Sequence, residues 1–338
     1  MSRSASVSGR VTVTENPLAP FLERFGFVVL DGGLATALER EGHDLRDELW
    51  SARLLIDDPS AIESVHGAYL RAGADCITTS AYQATLAGLE GRGLLRADAV
   101  AALRRSTELA LAAVRAERPR GQRDEAPPDP GATDALGPLV AASVGPYGAW
   151  LADGSEYHGR YGRSVAELAD FHRERFSILA ESGADLLACE TIPSAEETKA
   201  LLRLLEETPD CWAWFSFTCA DDRVIRDGTA IEDVVDACAT QERVAAVGLN
   251  CTEPQWAGRL VERIRARTDL PIIVYPNSGE VYDGVTKCWS AGTGGTSWME
   301  GLHAAWAAGA RVLGGCCRIG PDEIRELRSS VTGGDFPA

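Results

Sequence analysis

Ser182-Gly183-Ala184-Asp185-Leu186-Leu187-Ala188-Cys189-Glu190-Thr191-Ile192-Pro193, followed by the helical spacing of Ala195 to Glu207, is one complete unit of the fold. A glycine ends a helix by taking the left-handed conformation open to it. A short apolar run follows, an acid closes the run, and a helix begins again. Ala72-Gly73-Ala74-Asp75 and Ala308-Gly309-Ala310-Arg311 repeat the junction, with Gln241-Glu242-Arg243 as a looser variant. The apolar runs are Phe25 to Leu30, Asp75 to Ser80, Leu139 to Val144, Asp185 to Cys189, Ala213 to Thr218, Ala245 to Leu249, Pro271 to Tyr275 and Arg311 to Leu313. Between and after them lie the helical stretches Ala61 to Ala72, Ala97 to Arg118, Ser164 to Ser182, Ala195 to Glu207, Ile231 to Thr240, Pro254 to Arg267, Trp298 to Ala308 and Pro321 to Ser330. Alternation of this kind builds βαβ units on a parallel sheet. Eight units in one chain point to an α/β fold closed as a single (β/α)8 TIM barrel rather than a doubly wound sheet.

The 338 residues, 45% hydrophobic and 25% charged, suit one large soluble domain. Residues 1–18 read as a flexible tail, 19–330 as the barrel and 331–338 as a short C-terminal tail; 119–137, with Pro127-Pro128-Asp129-Pro130-Gly131, reads as an exposed polar loop. A net charge of −17 argues against nucleic acid, whose phosphates call for basic patches. No apolar run is long enough to span a bilayer, and the start carries no apolar signal core, so a cytoplasmic protein with no membrane partner is expected. With no long extension beyond Arg328, a monomer is expected. Nine cysteines, an odd number, fit reduced thiols better than a disulfide framework.

Barrel chemistry sits at the C-terminal ends of the strands. The residues closing the runs are Asp31, the stretch Thr78 to Tyr82, Gly145-Pro146-Tyr147, Glu190, Cys219, Cys251, Asn277 and Cys316-Cys317. Acids and thiols thus converge on one face. Cys251 and the pair in Gly314-Gly315-Cys316-Cys317 form a set that suits Zn²⁺, three thiolates leaving a fourth position for substrate, with the glycines allowing the sharp turn that aims neighbouring side chains at one point. The pair alone reads more readily as small buried hydrophobes, and acids after strands also serve as helix caps. No histidine stands at metal-ligand spacing, so all five read as surface or capping residues, and Cys76, Cys189, Cys211, Cys219, Cys238 and Cys288 as packing residues.

Six ordered blocks decide between these readings. Asp31-Gly32-Gly33-Leu34-Ala35-Thr36, Thr78-Thr79-Ser80-Ala81-Tyr82-Gln83-Ala84, Gly145-Pro146-Tyr147-Gly148-Ala149 with Leu151-Ala152-Asp153-Gly154-Ser155-Glu156-Tyr157, Cys189-Glu190-Thr191-Ile192-Pro193, Gly248-Leu249-Asn250-Cys251 and Gly314-Gly315-Cys316-Cys317 resemble the homocysteine S-methyltransferases. The resemblance spans about Phe25 to Leu327, and the Ala-Asp-Gly-Ser-Glu-Tyr block resembles the branch that uses S-methylmethionine. It implies zinc on Cys251, Cys316 and Cys317. It also implies homocysteine held through its ammonium by Asp31 and Glu190, with Gly32, Gly33 and Thr78 near its carboxylate and Asn250 in the binding site. The donor is then a sulfonium, S-methylmethionine or S-adenosylmethionine, against the aromatic faces of Trp50 and Tyr82. The product is methionine. A zinc-dependent barrel hydrolase is disfavoured because such sites take histidine and carboxylate ligands. A non-catalytic zinc or redox-sensing barrel is the remaining alternative.

Overall fold

The computed structural model describes residues 15–45, 53–117, 136–283, 288–290 and 296–336. Eight short parallel strands form its centre: β1 (Val28–Val29), β2 (Cys76–Thr78), β3 (Leu139–Val144), β4 (Leu186–Ile192), β5 (Ala213–Phe217), β6 (Val244–Asn250), β7 (Ile272–Tyr275) and β10 (Val312–Leu313). A further pair, β8 (Val281–Asp283) and β9 (Cys288–Ser290), forms a separate antiparallel hairpin. The large sheet runs β1-β10-β7-β6-β5-β4-β3-β2. A parallel bridge between Leu30 and Cys76, with Asp75 N donating to Val29 O at 2.7 Å, joins its first and last strands, so the sheet closes as a (β/α)8 barrel.

The repeated Gly-Ala-Asp junction has a structural task. Gly73, Gly183 and Gly309 sit at φ +102°, +92° and +111° after their helices. Asp75 and Asp185 then turn back, each Oδ2 accepting the N–H of the second residue of a neighbouring strand, from Val29 at 2.8 Å and Val140 at 2.7 Å. The Asp75 and Asp185 junctions therefore each end a helix and pin two strands together.

All eight expected runs become strands, but the first is shorter at its start. Phe25 closes the helix Ala19–Phe25, which Gly26 terminates at φ +78°, and the strand begins at Val28. The fold also reaches past the expected boundaries of the tails. Asn16 Nδ2 donates to Ala245 O at 2.8 Å at the start of β6, Leu18 and Phe21 pack into the barrel with Trp214, and the last helix runs to Gly333. Phe336 packs edge-to-face against Trp306 with ring centroids 5.2 Å apart. The polar loop of 119–137 lies outside the described residues except for its last two positions, which precede β3. Among the described residues no helix is long and apolar enough to cross a membrane.

Candidate active site

Three strand ends bring the thiols together. Cys251 follows β6, and Cys316 and Cys317 follow β10; their sulfurs lie within 4.8 Å of one another, with Cys251 Sγ and Cys317 Sγ 3.8 Å apart. Two sulfurs each ~2.3 Å from one tetrahedral zinc would be separated by roughly 3.8 Å, so the spacing fits that ion. The trio also needs a cation for electrostatic reasons. One thiolate at Cys251 is stabilised by hydrogen bonds from Cys316 and Cys317, while those hydrogen bonds to Cys251, with burial and its charge, push the other two thiols up. Three thiolates together require a positive ion between them.

Glycine serves this loop differently from the sequence expectation. Gly314 and Gly315 are not at positive φ. They are needed because the chain packs too closely for a side chain: a Cβ on Gly314 would lie 2.6 Å from Leu30 Cβ, and one on Gly315 2.2 Å from Ile319 Cγ2. The strained positions are Cys251 at φ +48° and Arg318 at +70°. Such conformations cost about 1–3 kcal/mol each in a residue with a side chain and persist only where surroundings impose them. Here Thr218 Oγ1 donates to Cys251 O at 3.1 Å, Arg318 N to Thr36 Oγ1 at 2.9 Å, and Cys317 N to Asn277 Oδ1 at 3.2 Å.

Two buried carboxyls stand nearby. Asp31, 4% exposed, accepts from Thr78 N at 2.7 Å and from Thr78 Oγ1 at 3.1 Å. Burial pushes its carboxyl up to about 8 against the pull of the Thr78 bonds, and the charge of Glu190 adds to the rise. Glu190, 8% exposed, is held by the hydroxyls of Ser143 and Tyr275, the latter at 3.2 Å; burial lifts it to about 7, with the charge of Cys251 contributing. Tyr275 is itself fixed by Trp214 Nε1 at 3.1 Å. A pair of half-neutralised acids in a dry cup is a receptor for a cation.

Several expected roles change in detail. Both hydrogen-bonding groups of Thr78 are spent on Asp31, and Gly33 N donates to Ile319 O at 2.8 Å, so neither presents a free N–H to a carboxylate. Gly32 and Gly33 instead allow close approach: their Cβ atoms would lie 2.5 Å from Ile319 O and 2.6 Å from Cys316 O. Asn250 is fully buried and ties the site together rather than facing substrate. Its Oδ1 accepts from Thr191 N at 2.7 Å, its Nδ2 donates to Thr191 Oγ1 at 2.8 Å, and Cys316 Sγ lies 3.9 Å from the same nitrogen. Thr191, held at φ +60°, follows Glu190 directly. Tyr82 is partly buried, and its hydroxyl is acted on by Glu156, Cys251 and Thr191. Trp50 lies outside the described residues.

Sequence reasoning missed other groups. Burial raises the Tyr157 phenol, and the charges of Cys251, Cys317 and Cys316 add to the rise. Arg226 is a cation acting on Cys251. Neither belongs to a strand-closing position, the signal used to choose residues. The histidine reading also needs correction, since His66 and His172 are fully buried. Arg175 Nη2 donates to His172 Nδ1 and His172 Nε2 to Glu197 Oε1, both at 2.8 Å; Arg175 also donates to Gly145 O at 2.6 Å. Tyr147 N donates to the same Glu197 oxygen at 2.5 Å. Burial keeps His172 neutral, and this network supports the Gly145-Pro146-Tyr147 turn beneath the site. Cys76, Cys189, Cys211, Cys219 and Cys238 are buried, as packing residues should be, and the side chain of Cys288 lies outside the described residues.

The sequence profile of the homocysteine S-methyltransferases matches residues 28–331. The chain belongs to the homocysteine S-methyltransferase family. It is 45% identical over 321 residues to homocysteine S-methyltransferase YbgG of Bacillus subtilis (strain 168), covering 92% of this chain and 96% of the relative. Selenocysteine Se-methyltransferase of Brassica oleracea var. italica is 44% identical over 314 residues, covering 91% and 90%. Among solved structures, the metallated form of the homocysteine methyltransferase MmuM from Escherichia coli superimposes with a TM-score of 0.78 at 43% identity, covering 93% of this chain and 99% of that one.

Proposed function

We propose that this family member carries Zn²⁺ on Cys251, Cys316 and Cys317 and transfers a methyl group from S-methylmethionine to homocysteine, giving methionine. The observation that carries this reading is the placement of three mutually close thiols beside two buried, cation-seeking carboxyls at one mouth of the barrel. Zinc, when bound, favours the thiolate of homocysteine while leaving its sulfur nucleophilic. Every other task falls to the chain. Asp31 and Glu190 take the substrate ammonium, held in place by Thr78, Ser143 and Tyr275. Asn250 fixes the strand ends so that the acid cup and the thiols keep their relation. Tyr82, with Trp50, offers aromatic surface to a sulfonium, worth about 0.5–2 kcal/mol per contact.

The segment between β3 and the helix Val165–Ala180 supports a compact donor. Its turn Ser155–Tyr157 is seated on the helix Tyr147–Leu151, where a Cβ on Gly148 would lie 2.4 Å from Glu156 N, and a turn fixed in this way suits a small third substituent on sulfur. S-methylmethionine is therefore placed ahead of S-adenosylmethionine, and betaine and methylfolate are not expected to serve. The metallated E. coli relative supports a metal on these thiols, and the Brassica relative makes a selenol a reasonable alternative acceptor. A cytoplasmic monomer remains our expectation, to be checked by light scattering and fractionation.

Metal analysis of the purified protein, combined with competition kinetics among the four donors at fixed homocysteine, tests the reading. We expect one zinc per chain, and the highest kcat/KM with S-methylmethionine. Zinc without methyl transfer would favour the storage or sensing alternative, and equal use of betaine would overturn the donor assignment.

A further inference from the structure

The proposed reaction consumes two amino acids, each with its own α-ammonium, while Asp31 and Glu190 form a single cup beside the thiols. A second acid stands apart from it. Glu156 lies in the turn Ser155–Tyr157, and its Oε2 is buried with no hydrogen-bond partner. A buried carboxylate oxygen left unpaired is costly, so such an oxygen marks a place where a ligand supplies the missing donor. The groups acting on this carboxyl are its own backbone, Cys251 and Asp153, none of them cationic. Among the described residues no cation acts on it, so an ammonium carried by a ligand can serve as its partner.

The position of Glu156 relative to the cup is informative. Cys251 acts on Glu190 and on Glu156, yet neither acid is among the groups acting on the other. The two carboxyls are carried by different segments, Glu190 by β4 and Glu156 by the turn Ser155–Tyr157 after β3. Glu156 also acts on the hydroxyl of Tyr82, the aromatic residue expected to receive the sulfonium.

Its carrier is a fixed platform. A Cβ on Gly148 would lie 2.4 Å from Glu156 N, so the turn rests directly on the helix Tyr147–Leu151. Gly159, at φ +64°, is pressed against the next two strand-end loops, where a Cβ would lie 2.5 Å from Pro193 O and 3.2 Å from Asp227 Cβ. Ser155 N donates to Asp153 Oδ1 at 2.9 Å.

We infer that Glu156 is the receptor for the α-ammonium of the methyl donor, distinct from the Asp31 and Glu190 cup that takes homocysteine. The inference rests on the methyl-transfer reading above. Sulfonium and ammonium make different demands on such a residue. The sulfonium loses its charge as the methyl leaves and has no N–H to offer, whereas the ammonium is unchanged through the reaction. A contact made equally in ground and transition states lowers KM and leaves kcat alone.

Zinc-loaded Glu156→Gln, which keeps the shape and removes the charge, tests this against wild type and Glu156→Asp. Calorimetry would give the Kd of S-methylmethionine and of dimethylsulfonioacetate, a sulfonium without an ammonium, alongside kcat, both KM values and zinc content. In Glu156→Gln the Kd and KM for S-methylmethionine should rise about 10- to 100-fold, the worth of a charge-assisted hydrogen bond. Homocysteine KM, kcat, zinc content and the Kd of dimethylsulfonioacetate should be unchanged, and Glu156→Asp should lose less. Unchanged donor affinity, an equal loss on both sulfonium ions, a raised homocysteine KM or a loss of zinc would each overturn the assignment. A wild-type protein that binds S-methylmethionine but transfers nothing to homocysteine would instead defeat the functional reading itself.

Discussion

Asp31→Asn is the substitution whose effect can be worked most directly from the structure. In the empty site Asp31 holds its proton up to about pH 8, chiefly through burial. An ammonium binds the ionised form, so below that pH the site must first release a proton, at about 1.36 kcal/mol per pH unit. For one group at 8, the fraction competent to bind rises roughly 50-fold between pH 6 and pH 8. Glu190, lifted to about 7, adds up to about tenfold over the same range if it too must ionise. Homocysteine is a poor probe because its thiol titrates as well. L-methionine carries the ammonium without a thiol, and its Ki against homocysteine isolates the carboxyls. The wild-type Ki should fall by at least about 50-fold from pH 6 to pH 8. In Asp31→Asn it should be weaker at pH 8, with the slope of log Ki against pH reduced by about one proton. A wild-type Ki flat across this range, or a full slope in the variant, would refute the argument.

The same group carries a stability consequence of definite sign. Asp31 binds its proton more tightly folded, at about 8, than at the ordinary carboxylate value of 3.8, so stability falls as pH rises between them. Ligand-free Asp31→Asn should therefore outlast wild type in urea at pH 8, by a margin that shrinks toward pH 5. Gly315→Ala forces a methyl to within 2.2 Å of Ile319 Cγ2 and 2.4 Å of its Cβ, and should lower zinc affinity in a chelator competition while circular dichroism stays normal; Ile319→Gly in the same chain, which removes both atoms, should restore part of it. Asn250→Ala orphans the buried Thr191 N–H, a loss of about 1–3 kcal/mol by denaturant titration, with turnover falling further because Glu190 and Cys316 lose a common support. Glu197→Ala leaves Arg175 buried without its counter-charge and should cost about 3–5 kcal/mol in the same assay.

The barrel was legible because its cause is local. Each Gly-Ala-Asp junction encodes a helix stop and a strand start within four residues, and Asp75 and Asp185 show that even the acid in that motif has a strand-pinning task. The thiol cluster was legible for a related reason, since a closed barrel gathers strand ends at one mouth whatever their separation in sequence. What sequence concealed depends on contacts made after closure. Asn250 reads as a substrate residue until Thr191, 59 positions away, is seen to take both ends of its amide. His172 reads as a surface histidine until Glu197 and Arg175 enclose it. Glu156 has no strand-end position to distinguish it, because the turn that carries it is folded back over the site by Gly148 and Gly159.

The docking of Asn16, Leu18 and Phe21 into the end of the barrel opposite the thiols has a kinetic consequence. With that end plugged by the chain's own start, both substrates and both products share one doorway. Asp31 and Glu190 sit on the strand ends themselves, whereas Glu156 sits on the loop above them, so the acceptor occupies the deeper berth. Homocysteine must then board first and the methionine made from it must disembark last, giving ordered rather than random kinetics; because both products are methionine when S-methylmethionine is the donor, the order is read by isotope exchange at saturating donor rather than by product inhibition.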